Sequence, residues 1–226
     1  MKNFFQVSLL GALLLVSAPF ARCAETNAVH SFARWENEIA AFEHHDATNP
    51  PAKGAYVFIG SSTVRLWKTL AQDLPGRSVV NRGFGGSEIA DSTHFAPRVI
   101  FPYAPKVVVL RAGGNDLFAG KSVVQVFADY QEFIAVVHAK LPDAKIVFLS
   151  LSPSIARWSQ HEKEKAVNAL VEKFVAGKPF LQYLETYDVP LQADGTPNID
   201  LFIGDQLHFN ADGYKLFAER VRSQLK

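Results

Sequence analysis

The sequence predicts an α/β protein built on a flavodoxin-like, five-stranded parallel sheet with helices on both faces. Three observations predict it. Short apolar runs alternate with longer segments of helical period along the chain. The central runs, Lys106–Leu110 and Lys145–Leu149, are apolar on both faces, as strands covered from two sides must be. The βα units number five, too few to close an eightfold barrel.

Ser31 to about His44 carries Phe32, Trp35, Ile39, Ala40 and Phe42 at amphipathic helical spacing. Asn49-Pro50-Pro51 ends it and leads into Ala55–Ile59, a short apolar run read as the first strand. A helix is expected from Ser62 to Gln72, then a second strand at Ser78–Val80. Gly83-Phe84-Gly85-Gly86 reads as a loop before a helix near Ile89. Lys106–Leu110 is the third strand, and Val123–Lys140 a long helix stopped by Pro142. Lys145–Leu149, Gln160–Val175, Leu181–Tyr187 and Ala211–Leu225 read as strand, helix, strand and final helix.

The 226 residues are 48% hydrophobic and 20% charged, enough for one globular domain without a metal or disulfide staple. Lys2 followed by an apolar run from Phe4 to about Val16, small residues and Pro19 reads as a secretory signal. That run falls short of the ~20 residues a bilayer span needs. The expected organisation is a signal peptide over 1–24 and a single domain over 25–226, exported to a periplasm or the medium. Cleavage there removes Lys2 and Arg22, taking basic residues from 23 to 21 against 22 acidic. Such a balance gives no footing for nucleic acid. The only cysteine, Cys23, lies at the cleavage point, so the domain has no disulfide, thiol nucleophile or cysteine zinc site.

Open parallel sheets place function at the carboxyl ends of their strands, and four of the five ends carry polar or glycine-rich clusters. Gly60-Ser61-Ser62-Thr63 suits a helix cap, and equally a nucleophilic hydroxyl at a helix start. Gly83-Phe84-Gly85-Gly86 lacks the third glycine of a dinucleotide fingerprint, position 88 being Glu, and no phosphate-loop Gly-Lys-Ser follows. Gly86 reads as a turn or as an exposed N–H donor. Asn115, after Gly113-Gly114, reads as a cap or as an oxyanion donor. Asp205 three residues before His208 can orient the imidazole from Nδ1 and leave Nε2 free for a proton. Arg157 and Trp158, beyond the fourth strand, are candidates for packing or for a substrate pocket. His44-His45-Asp46 reads as an exposed helix end, since adjacent helical side chains diverge. His161–Lys165 reads as a solvated helix face.

Each signal is weak alone, but their order resembles that of the SGNH (GDSL-type) hydrolase family. The matching blocks are Gly60-Ser61-Ser62, Gly86, Gly113-Gly114-Asn115-Asp116 and Asp205-x-x-His208, spanning about 150 residues. Phe58–Trp67 looks especially like bacterial lipase- or acylhydrolase-like members. The resemblance implies a three-layer α/β/α fold and ester hydrolysis needing no metal or cofactor. It implies a triad of Ser62, His208 and Asp205, and an oxyanion hole from the Ser62 and Gly86 N–H groups and the Asn115 amide. The chain departs from the family's Gly-Asp-Ser block in having Ser61 where the Asp stands. The Gly-x-Ser-x-Gly elbow of α/β-hydrolases is absent.

The expected function is hydrolysis of short-chain acyl esters, with a small-molecule substrate, no nucleic acid and no span in the mature chain. Oligomeric state is not readable. Carbohydrate deacetylase, lysophospholipase and thioesterase activities share the same blocks, and a silent carbohydrate- or lipid-binding module is the non-enzymatic alternative. Short, polar connections with Arg82, Arg111 and Arg157 nearby predict a shallow polar cleft rather than an acyl tunnel.

Overall fold

The computed structural model describes Met1 and residues 30–225. They fall into two units, residues 1–31 and 32–226. Only Met1, His30 and Ser31 of the first are described, so the signal-peptide expectation lies outside the described residues.

A 3₁₀ turn, Phe32–Trp35, leads into α1 (Glu36–Thr48). Then follow β1 (Tyr56–Gly60), α2 (Ser62–Arg65), α3 (Leu70–Asp73) and β2 (Val79–Gly83). The middle holds α4 (Ile89–Val99), β3 (Val107–Arg111), α5 (Gly114–Phe118), α6 (Val123–Lys140) and β4 (Lys145–Leu149). The chain continues through α7 (His161–Val175), β5 (Leu181–Leu184) and α8 (Ala211–Gln224). The five strands are parallel in the order β2-β1-β3-β4-β5. This is the flavodoxin-like order, so the predicted fold class holds.

Strand alternation builds two cores. Val57, Ile59, Val108, Leu110, Ile146 and Phe148 pack with buried residues of α1, α4, α6 and α7, such as Ile39, Phe95, Tyr130 and Val167. Phe58, Val107, Val109, Val147 and Leu149 pack with residues of α2, α3 and α8, such as Val64, Leu70 and Phe217. Both faces of the central strands are therefore dry, which explains their unbroken apolar runs.

Among the element boundaries that differ from expectation, three have a side-chain cause. The Ser62–Gln72 helix breaks in two because the Asn81 amide donates to the Val64 carbonyl (2.7 Å), capping α2 from another strand. β2 runs on to Gly83, and Arg82 turns back to Asp46 (2.5 Å) and Tyr103 rather than toward the strand-end loops. Asp46 is therefore part of an ion pair, while His44 and His45 are exposed as expected. β5 ends at Leu184 because the Thr186 N–H and hydroxyl donate to Ser150 Oγ and O (2.7 and 2.8 Å), leaving the ladder.

Candidate active site

All the polar clusters gather at the carboxyl edge of the sheet. β1 ends at Gly60, whose φ is +134°. A Cβ there would lie 2.1 Å from the Arg111 carbonyl oxygen, which accepts the Ser61 N–H at 3.1 Å. Only glycine permits that approach. The Ser61 carbonyl accepts the N–H groups of Val64 and Arg65, so Ser62 opens α2.

His208 comes from the opposite end of the sequence. Phe202 and Phe209 pair as an antiparallel bridge, and Ile203 N–H donates to the His208 carbonyl (2.9 Å). Gln206, at φ +57°, closes the turn between them. Asp205 Oδ1 accepts the Leu207 and His208 N–H groups (2.9 and 3.0 Å), which fixes its Oδ2 2.6 Å from His208 Nδ1. His208 Nε2 lies 2.9 Å from Ser62 Oγ. A carboxylate only accepts, so the shared proton belongs on Nδ1; Nε2 is then the acceptor and the Ser62 hydroxyl donates. Partial desolvation raises the Asp205 carboxyl, but the bonds from the His208 ring and the two backbone N–H groups outweigh it and hold it at about 2.

Asn115 is fixed from both ends. Its Nδ2 donates to the Ser87 carbonyl (2.8 Å), and its Oδ1 accepts from Arg157 Nη1 (2.8 Å). A flipped amide would oppose two acceptors at Ser87 and two donors at Arg157, so one orientation is set. Neighbouring Asp116 accepts the Ile89 N–H (3.2 Å) and pairs with Lys121 (3.2 Å), tying the loop before α4 to α5. Burial pushes the Asp116 carboxyl up to about 6, against the pull of Lys121.

Ser62, Asn115, Arg157 and His208 line one cavity of about 60 Å³. Asp205 sits behind His208. The other two candidates do not line it. Gly86, at φ +78°, lies in the loop that Asn115 holds, against the Trp35 ring. The Trp158 ring stacks on His161 at 4.0 Å, so Arg157 and its neighbour part company. The cavity is small and lined mostly by polar groups.

The cavity also holds Arg111, expected only as one of three arginines near the strand ends, and residues that sequence reasoning missed: Ser152, Ser154, Gln160 and Glu164. Glu164 corrects the reading of His161–Lys165 as solvated: it is 3% exposed, on the inner face of α7. Its signal was the buried period of that helix, Glu164-Val167-Asn168-Val171. Ser152 and Ser154 follow the end of β4, where function was expected. Among the described residues, no group of three or more His, Cys, Asp or Glu side chains could hold a metal ion. No described helix is long and apolar enough to cross a membrane.

This arrangement can move a proton from a hydroxyl to an imidazole beside an amide donor. A family model, the GDSL-like lipase/acylhydrolase family, matches residues 54–216, from the turn before β1 into α8.

The chain belongs to the GDSL-like lipase/acylhydrolase family.

It is a hydrolase of the acylhydrolase and esterase kind. It is 31% identical over 186 residues to the platelet-activating factor acetylhydrolase IB subunit alpha1 of Bos taurus, covering 75% of this chain and 74% of that protein. Among solved structures, a Streptococcus pneumonia protein named for platelet activating factor has a TM-score of 0.75 at 20% identity, covering 86% of this chain and 94% of its own. A catalytic mutant of an acetylxylan esterase from Geobacillus stearothermophilus has a TM-score of 0.61 at 14% identity, covering 76% and 94%. These two structural likenesses speak for the fold of the family.

Proposed function

We propose that this family member is an exported serine esterase that hydrolyses short-chain carboxylic esters. The observation that carries the reading is the continuous Asp205–His208–Ser62 hydrogen-bond chain at 2.6 and 2.9 Å. Ser62 Oγ attacks the ester carbonyl as its proton passes to His208 Nε2, and Asp205 stabilises the imidazolium. The tetrahedral oxyanion takes the Ser62 N–H group and the second Asn115 amide hydrogen, the first being engaged by Ser87; the Gly86 N–H expected beside them belongs to a loop residue that does not line the cavity. His208 returns the proton to the leaving alcohol. Water, deprotonated by the same imidazole, then releases the acid. Fluorophosphonate labelling tests the reading, because a silent binding module would not label at Ser62.

Asn115→Ala is expected to fold and to lose about 10²–10³ in kcat, the usual loss for one oxyanion donor. KM should barely move, since the interaction strengthens in the transition state. Steady-state kinetics with a chromogenic acetate ester check both; an unchanged kcat would reduce Asn115 to a structural tie.

Short acyl groups are proposed because the cavity is small. The cavity measures about 60 Å³. The names of the Bos taurus relative and of the xylan esterase, both acetyl-directed, agree. In the series of neutral 4-nitrophenyl n-acyl esters, kcat/KM should peak between acetyl and butyryl. A maximum at decanoyl, measured below micelle formation, would contradict this. Export rests on residues 1–24; sequencing the N-terminus of protein recovered outside the cytoplasm should find a start near Glu25.

A further inference from the structure

We infer that the cavity beside Ser62 is a subsite for a carboxylate carried on the substrate's acyl group, held by Arg111 and Arg157. The inference rests on the serine-esterase reading and adds the chemical class of the acyl group.

Arg111 ends β3 beside Gly60 and is 7% exposed. Its Nη2 donates to Ser152 Oγ at 3.0 Å, but its Nε is buried with no partner. Arg157 donates to the Gly114 carbonyl and to Asn115 Oδ1, both uncharged acceptors. Neither guanidinium has a carboxylate within ion-pair distance among the described residues. Elsewhere in the domain the buried cation Arg82 has its carboxylate, Asp46. A buried and a half-buried cation on one cavity without a counter-ion are costly to keep, and such a cost is tolerated where a ligand supplies the missing charge.

The one carboxylate lining the cavity does not fill that role. Glu164 Oε1 accepts from Gln160 Nε2 (2.9 Å) and its Oε2 is buried without a partner. Burial pushes the Glu164 carboxyl up, toward its neutral form, despite the nearby arginines. Burial likewise lowers both arginines, Arg111 to about 10. Two arginines face one carboxylate in the cavity lining, and Ser152, Ser154 and Gln160 add polar groups around them. The arginine fork matches a carboxylate's planar geometry.

The rival use of this positive charge is to stabilise the reaction's own oxyanion. Rate measurements separate the two. With the full protein, kcat/KM is compared for 4-nitrophenyl hemisuccinate and 4-nitrophenyl butyrate, each divided by its uncatalysed rate. We expect a preference for hemisuccinate of about tenfold to a hundredfold, as for hydrogen bonds to a charged group. Arg111→Met should erase most of that preference, and Arg111→Lys should keep part of it. Should Arg111→Met not fold, the unaltered enzyme still decides: succinate should inhibit butyrate hydrolysis at least tenfold more strongly than neutral succinamide. A ratio near one in the unaltered enzyme overturns the proposal. So does an equal loss on both esters in Arg111→Met, which would assign the charge to the oxyanion. Labelling at Ser62 with butyrate turnover but no preference sinks the subsite alone; no labelling and no turnover sinks the esterase reading beneath it.

Discussion

Ser62→Ala is expected to abolish turnover and fluorophosphonate labelling, a loss on the order of 10⁶ in kcat, as when other serine hydrolases lose their nucleophile. Ser61→Ala should keep measurable activity. The two residues are adjacent, yet their surroundings differ. Ser62 Oγ is the hydroxyl 2.9 Å from His208 Nε2, whereas Ser61 contributes its carbonyl to the first turn of α2. The Ser62 side chain is a small surface of the cavity, so its truncation should leave the thermal midpoint close to that of the unaltered protein. Intact-mass analysis after probe treatment reads the result directly. A dead Ser61→Ala beside an active Ser62→Ala would move the nucleophile by one residue and discard the mechanism.

Asp205→Asn is the second large effect, a loss of up to ~10⁴ in kcat. The substituted side chain keeps an oxygen able to accept the Leu207 and His208 N–H groups, so the turn at Gln206 should persist. The group facing His208 Nδ1 can now be an amide donor. It would favour the tautomer protonated at Nε2, which cannot accept the Ser62 proton. Circular dichroism should be unchanged while single-turnover acylation slows. Acylation at the unaltered rate would show that imidazole orientation does not depend on the carboxylate. In the unaltered protein the carboxyl is held at about 2, below its ordinary value near 3.8. Its contribution to stability is therefore present above the ordinary value and is lost as pH falls toward 2. An acid limb in the activity profile near neutrality would not belong to Asp205.

How much of the site was legible depended on the range of the interactions involved. Asp205 and His208 are three residues apart and joined by one turn, so their partnership was readable from spacing. Arg157 was visible as a pocket candidate because it follows a strand end. Its bond to Asn115 Oδ1 crosses 42 residues of sequence and left no local trace. Arg111 was seen only as one arginine among three near the strand ends, and Arg82 among them turned out to serve α1. Glu164 was misread because its charged neighbours, Glu162, Lys163 and Lys165, are solvated and set the character of the segment.

By itself, the sequence determined the sheet, its parallel order and the ends at which chemistry gathers. Apolar runs, helical periods and glycines at strand ends are local features. Each acts within a few residues, where chain connectivity already brings the groups together. Only the tertiary structure decided that Asn81 breaks the helix after Ser62. It also decided that Gly86 and Trp158 stand off the cavity, and that Arg111, Arg157 and Glu164 share its walls. Those outcomes rest on close packing between segments 17 to over 50 residues apart. A buried charge's surroundings are set by whichever side chains the sheet edge brings together, and no local pattern carries that information.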